Sequence, residues 1–485
     1  MRTKWTVVSP HSGMDEDAPA NNAGSGNVSM PPDAIKKKKK TLIDRSMMDA
    51  RTKAYKEHRK KLESSRVVRL ARKEARKSKF IEDVKDKTLN TEMAYGQGFD
   101  TAKPMADMSN LNAAKSATGY ELYHKDFSGA MQHAYKFAKS KGYTVDPKEI
   151  EDFIVGCAMP EGEQGMNLAR NVGLLAGLPL DVAAVTVNRF CSSSLVTIMM
   201  AAQGIMANCG DVYLTAGVES MSHVPMGGFN PSLNPKLMQE GVPEAYISMG
   251  LTAENLASKY SISREEQDEF AVKSHLKAIK AQKEGLYKDE IVAVTAYDKQ
   301  GNTQLVDVDQ GPRADSNVEK LATLKPAFKA DGSVTAGTSS PLTDGAAAVM
   351  VMSADKAKEL GLKPLAKIVS MAVAGCDPSI MGIGPVPAVN KALKRAGMTL
   401  DQIDLIELNE AFAAQSLAVI KELGIDQEKL NPKGGAIALG HPLGCTGARI
   451  MASLTHGLRQ FDKKFGIETM CVGGGQGAAM IIERL

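Results

Sequence analysis

Val185-Thr186-Val187-Asn188-Arg189-Phe190-Cys191-Ser192-Ser193-Ser194-Leu195 is the stretch on which the reading of this chain turns. Its left half is β-branched and alternating, as a strand is. To its right Leu195, Ile198, Met199, Ala202, Ile205 and Met206 recur at helical spacing, and Gly210 supplies a stop. Cys191 therefore stands at a strand-to-helix junction, followed by three serines. Unpaired N–H groups and the helix dipole favour a thiolate there, the form that attacks carbonyls. The same pattern suits a buried structural cysteine, because free cysteine is among the most buried residue types. The rest of the chain has to decide between them.

Moving outward, the unit around Cys191 occurs twice. Gly142-Tyr143-Thr144-Val145-Asp146, followed by Ile150-Glu151, is echoed by Gly397-Met398-Thr399-Leu400-Asp401, followed by Ile403-Asp404. The same spacing carries Cys191 into the loop His441-Pro442-Leu443-Gly444-Cys445-Thr446-Gly447, which opens a second helix over 448–458. The core thus reads as two copies of one α/β unit, with equivalent strand-to-helix junctions facing each other. Strand ends at such junctions are where open α/β sheets put their ligands, although a repeat can also be architecture alone. Strands are expected at Phe153–Val155, Asp211–Ala216 and Asp344–Met352, and helices at Phe127–Lys141 and Asn167–Ala176. Between them lies a long, mostly helical insertion in which Ser263-Arg264-Glu265-Glu266 is a capping box.

Three further stretches hold residues fit for chemistry. Gly434-Gly435-Ala436-Ile437-Ala438-Leu439-Gly440-His441 puts a histidine in a loop of glycines, where backbone approaches a ligand closely; a lone histidine can equally be a satisfied structural residue. In Met470-Cys471-Val472-Gly473-Gly474-Gly475-Gln476-Gly477 a cysteine ends a strand, and the glycine N–H groups after it suit an oxyanion hole. A phosphate-type glycine turn is the alternative, but the Lys-Ser/Thr ending of a nucleotide loop is missing. Asn409-Glu410-Ala411-Phe412-Ala413 follows the apolar strand Leu405–Leu408, where asparagine is either a turn residue or an anion-stabilising group. Two cysteines, a histidine and an asparagine at strand ends suit carbon–carbon chemistry on thioesters.

Taken in chain order, Cys191, Asn409, His441 and Cys471, these four motifs resemble those of the thiolases. Thr335-Ala336-Gly337-Thr338-Ser339-Ser340 and Asp344-Gly345-Ala346-Ala347 are also similar to family signatures, and the likeness runs from about Asp126 to Leu485. Its wording is nearest to the degradative 3-ketoacyl-CoA thiolases. The resemblance implies a duplicated, five-layered α/β fold, with a mostly helical loop domain (222–335) inserted in the first half. It divides the chain into an extension over 1–118, a first half over 119–352 and a second over 353–485. It implies Cys191 as nucleophile, His441 as its base, Cys471 as the second acid/base, and Asn409 as holder of a water at the enolate. The N–H groups of Cys191 and Gly473 would hold the acyl oxyanion, and Ser340 and Met249 would line the pantetheine channel. CoA is then a substrate, no cofactor or metal is called for, and the assembly expected is a homodimer or homotetramer. Acetoacetyl-CoA chemistry and a non-catalytic acyl-CoA-binding role are the alternatives. One departure stands out: the family's apolar first strand with Arg-Thr-Pro has no counterpart just before Tyr120, Arg51-Thr52-Lys53 lacks the proline, and Trp5–Val8 is distant.

Composition agrees with a globular domain: 43% hydrophobic and 24% charged. Six scattered cysteines without a CxxC pair argue for a reducing compartment, against disulfides and against a zinc site. The net charge of +4 conceals a basic stretch, Lys36 to Lys79, with 19 Lys and Arg against 5 Asp and Glu. Such a segment is a solvated helix, a disordered arm, or a contact for nucleic acid or an acidic membrane. No aromatic interleaving or nucleic-acid fold motif supports the last. The first 35 residues carry acids and no apolar core of a leader, and Glu483-Arg484-Leu485 is not Ser-Lys-Leu. The expected location is cytoplasmic, with mitochondrion or peroxisome as alternatives.

Overall fold

Phe153-Ile154-Val155 is apolar on both alternating sides, the composition of a strand covered on both faces. It forms the middle of β1 (Asp152–Gly156). The computed structural model describes residues 145–239, 242–297 and 302–485. β2 (Ala183–Val187) and β3 (Val212–Ser220) flank β1 in parallel. The chain then leaves for the insertion, which contains helices α3 (Met249–Lys259) and α4 (Arg264–Lys283) and a hairpin of β4 (Val294–Tyr297) and β5 (Thr303–Val306). It returns as β6 (Asp344–Met352), antiparallel to β3. β3 runs past Gly217, where the sequence pattern ends it, because Asp344–Ala347 supply partners as far as Ser220. The Ser263 cap forms as its motif requires: Ser263 accepts from Glu266 N–H and Glu266 accepts from Ser263 N–H.

The second sheet has the order β7-β10-β9-β8, from β7 (Ala366–Gly375), β8 (Leu405–Leu408), β9 (Phe465–Val472) and β10 (Gln476–Arg484). The duplication is plain in its pairing. β8 and β9 are parallel as β1 and β3 are, and β9 and β10 are antiparallel as β3 and β6 are. The halves differ at one edge. β7 covers the outer side of β10, which is buried through its middle, whereas β6 is mostly half-buried, with no further strand beside it among the described residues. The expectations for a first strand, for Phe127–Lys141 and for the basic stretch 36–79 lie outside the described residues.

Helices complete five layers. α2 (Ser193–Met206) and α7 (Thr446–Gln460) pack between the sheets, where Leu195, Ile198, Ile450 and Leu454 meet Ile154, Tyr213, Leu405 and Met480. α2 is apolar nearly all round and buried over its first two turns, Ser193–Met199, reaching solvent only toward its C-terminus at Met200, Gln203 and Met206. Leu195, Ile198, Ile450 and Leu454, each at most 1% exposed, contribute about 1.5–3 kcal/mol apiece on burial. α1 (Leu168–Ala176) covers the outer face of the first sheet, and α5 (Pro385–Ala396) and α6 (Ala413–Leu423) cover that of the second. The N-termini of α2 and α7 meet so closely that a Cβ on Gly447 would lie 2.3 Å from the Leu195 nitrogen. No helix among the described residues is long and apolar enough to cross a membrane.

Candidate active site

Cys191 sits on a single tight turn, Phe190–Ser192, between β2 and α2. The neighbouring polar residues build that turn. Asn188 Oδ1 accepts from Phe190 N–H at 2.8 Å while its amide donates to Ala158 O at 2.9 Å. Ser193 Oγ accepts from Arg189 N–H and donates to Phe190 O. Together they hold Phe190 at φ +43°, a left-handed conformation that a bulky side chain rarely adopts. The strain delivers the thiol to the space between the sheets' ends.

That thiol is 6% exposed and packs against Ala158, Met221 and Leu443, the last from the loop carrying His441. Burial pushes it up to about 12, opposed by the N–H groups of Gly473 and of Cys191 itself, which point at the sulfur. The charge of Glu219 nearby adds to the rise. The expectation that the helix end stabilises a thiolate is therefore corrected. Desolvation outweighs the dipole, and the resting group is a neutral thiol.

His441 follows Gly440, whose φ of +87° and closeness to Thr343 exclude any side chain at that point. The imidazole is 5% exposed, and burial, followed by the positive charge of Arg449, depresses its pKa to about 3. Its Nδ1 lies 2.7 Å from Thr446 Oγ1 and its Nε2 lies 3.3 Å from Asn409 Nδ2. Thr446 spends its only hydrogen on Pro442 O at 2.9 Å, so it accepts from Nδ1–H. The network thereby assigns the tautomer, leaving the Nε2 lone pair facing Asn409. Thr446→Val should remove this anchor and cost about 1–3 kcal/mol. Nitrogen NMR of the His441 ring should show one tautomer in the parent chain and in Thr446→Ser, but a mixture in the valine variant.

Asn409 follows directly on β8, with its N–H bonded to Thr469 O, and its buried Oδ1 has no partner among the described residues. Cys471 lies near the end of β9, fully buried, with its pKa raised first by burial and then by the nearby Cys191 and Cys376. Gly473 follows on the hairpin into β10, where Gly474 and Gly475, at φ +76° and +83°, make the turn. Met249, at the start of α3, packs on the apolar cluster that contains Cys471, Ala411 and Phe412. Ser340 bonds through both N–H and Oγ to Ala411 O, both at 3.1 Å. All the residues selected from the motifs thus converge on one locus at the junction of the halves. Cys445 is 2% exposed at the cap of α7. The motifs passed over Thr446; its signal was its place five residues after His441 at the opening of a helix.

A protonated thiol beside amide N–H groups, a neutral imidazole whose unprotonated Nε2 faces the Asn409 amide, and a second buried thiol are parts for acyl transfer and proton transfer at carbon. Comparison with known proteins agrees. The thiolase N-terminal domain matches residues 127–355 and the thiolase C-terminal domain residues 362–484. The chain belongs to the thiolase family. It is 54% identical over 342 residues to a 3-ketoacyl-CoA thiolase of Bacillus subtilis, covering 69% of this chain and 87% of that one. It is 53% identical over 348 residues to one of Idiomarina loihiensis, covering 70% and 89%. Among solved structures, human mitochondrial 3-ketoacyl-CoA thiolase superposes with a TM-score of 0.68 at 39% identity, over 77% of this chain and 96% of that one. The Bacillus anthracis acetyl-CoA acetyltransferase superposes with a TM-score of 0.67 at 44% identity, over 74% and 92%.

Proposed function

We propose that this thiolase cleaves 3-ketoacyl-CoA with CoA, yielding acetyl-CoA and an acyl-CoA two carbons shorter. The observation that carries the reading is the convergence of Cys191, the tautomerically fixed His441 and Cys471 on one buried locus. In this reading Cys191 attacks C3 of the substrate while His441 Nε2 takes the thiol proton. The N–H groups of Cys191 and Gly473, which already face the sulfur, hold the oxyanion. Breaking the C2–C3 bond releases the enolate of acetyl-CoA. Protonated His441, with a water held by Asn409, steadies the enolate oxygen, and Cys471 delivers a proton to C2. Cys471 then removes the thiol proton of incoming CoA, whose sulfur takes the acyl group from Cys191 as His441 returns its proton to the departing thiolate. CoA is a substrate throughout, and the scheme uses no metal or cofactor. Ser340 and Met249 line the approach of the pantetheine arm.

The likeness to an acetyl-CoA acetyltransferase supports a second reading, a short-chain enzyme acting on acetoacetyl-CoA with the same residues. CoA-dependent cleavage of acetoacetyl-CoA and 3-ketohexadecanoyl-CoA separates the two. Turnover of the long substrate supports the degradative reading, and turnover of acetoacetyl-CoA alone moves the protein to the short-chain class. A folded protein that turns over neither would sink both. We extend the proposal to a homodimer or homotetramer, supported by the half-exposed strand β2, which has no outer neighbour among the described residues, with light scattering as its check.

A further inference from the structure

One buried acid joins the two halves at the site, and neither the motifs nor the chemistry above assigns it a role. Glu219, two residues past Gly217 on β3, is 1% exposed. Its Oε2 accepts from Ala158 N–H at 2.7 Å and from Gly444 N–H at 2.8 Å. Its Oε1 accepts from Met159 N–H at 3.1 Å and Gln164 Nε2 at 3.0 Å, with Cys157 Sγ at 3.7 Å. Ala158 packs on Cys191, and Gly444 belongs to the loop that carries His441. A single oxygen therefore holds one donor from the loop after β1, which packs on Cys191 and accepts from the Asn188 amide, and one from the loop that carries His441. Gly444 is what lets it do so, because a Cβ there would stand 2.7 Å from Oε2 and 2.6 Å from Val218 O.

We propose that Glu219 is a positioning residue for the reaction, bracing the segment after β1 on which the Cys191 turn rests against the His441 loop, at a set separation and without touching substrate. Four N–H groups and a thiol around one carboxylate leave no room for a neutral substitute, since an amide would present hydrogens to hydrogens. The brace has an electrostatic cost, because its negative charge opposes ionisation of the Cys191 thiol. Nothing in a packing role requires an acid so near a nucleophile. A role in holding two loops from opposite halves does. This inference rests on the reading of Cys191 and His441 as nucleophile and base.

That electrostatic cost supplies a test which separates positioning from general structural support. The parent chain, Glu219→Gln and Glu219→Asp are compared for kcat and KM on 3-ketoacyl-CoA. The rate of Cys191 alkylation by iodoacetamide is followed by mass spectrometry beside the five other cysteines. Glu219→Gln should lower kcat roughly tenfold to a hundredfold, the scale of a misplaced catalytic loop, with KM changed little. Its Cys191 alkylation should speed up as the opposing charge disappears, while Cys157, Cys445 and Cys471 stay unlabelled. Glu219→Asp keeps the charge but is too short to reach both loops, so kcat falls without faster alkylation. Unchanged kcat in either folded variant overturns the proposal. So does a loss of turnover that comes with labelling of all the buried cysteines, the sign of a loosened fold. If Glu219→Gln does not fold, the aspartate variant alone decides. A parent chain without turnover would instead sink the reading on which the inference rests.

Discussion

Cys191→Ser is expected to lower CoA-dependent cleavage by roughly three orders of magnitude or more while leaving the melting temperature nearly unchanged. The hydroxyl fits where the sulfur sits, since the site is set by Phe190, Asn188 and Ser193, none of which contacts the side chain through a hydrogen bond. What is lost is nucleophilicity. The buried thiol is already a reluctant acid at about 12, and an alcohol is a far weaker one. The check is steady-state thiolysis together with mass spectrometry of the protein after brief exposure to substrate. The parent chain should show an acyl adduct on the peptide containing Cys191, and the variant none. A serine variant that keeps even a tenth of the parent rate would show that the acyl group is carried elsewhere.

His441→Ala carries the second large effect, a loss of roughly two to four orders of magnitude, because it removes both the acceptor of the thiol proton and a stabiliser of the enolate. Its pH dependence is more telling than its size. In the parent chain both partners are neutral over the working range: His441 above about 3, and Cys191 below about 12. The acylation rate should therefore be flat between about pH 5 and 9, with no acid limb near 6.5, where an ordinary histidine titrates. The alanine variant has only the preformed thiolate to use. That population grows about tenfold per pH unit below the thiol pKa, so its residual rate should climb with unit slope over the same interval. Single-turnover acylation across that range measures both. A flat profile in the variant would mean that another base serves the thiol; a parent rate that falls below pH 7 would mean that His441 titrates as an exposed histidine does.

The divide between what was legible in the sequence and what was not follows the range of the forces involved. Local periodicity placed β1, α2 and β6 because alternation and helical spacing act over a few neighbours. The repeat that relates 142–151 to 397–404 announced the two matching halves, since each copy must bury the same face, and the parallel-then-antiparallel pairing of both sheets bears it out. The motifs named Cys191, Asn409, His441 and Cys471, and the fold brings them to one place. The sequence did not reveal their protonation. Cys191 at a helix entrance reads as a thiolate when only its own chain neighbours are weighed, whereas desolvation by Ala158, Met221 and Leu443 makes it a thiol. Thr446 and Glu219 were missed for a related reason. The first acts through its hydrogen bond to Pro442, which settles where the imidazole proton lies, and the second through a bond to Gly444, 225 residues away in the chain. By itself, then, the sequence determined which residues react and that they would come in two matching halves. Burial and contact across the junction of those halves are properties of the packed whole, and they alone decided the charge, tautomer and spacing with which those residues meet.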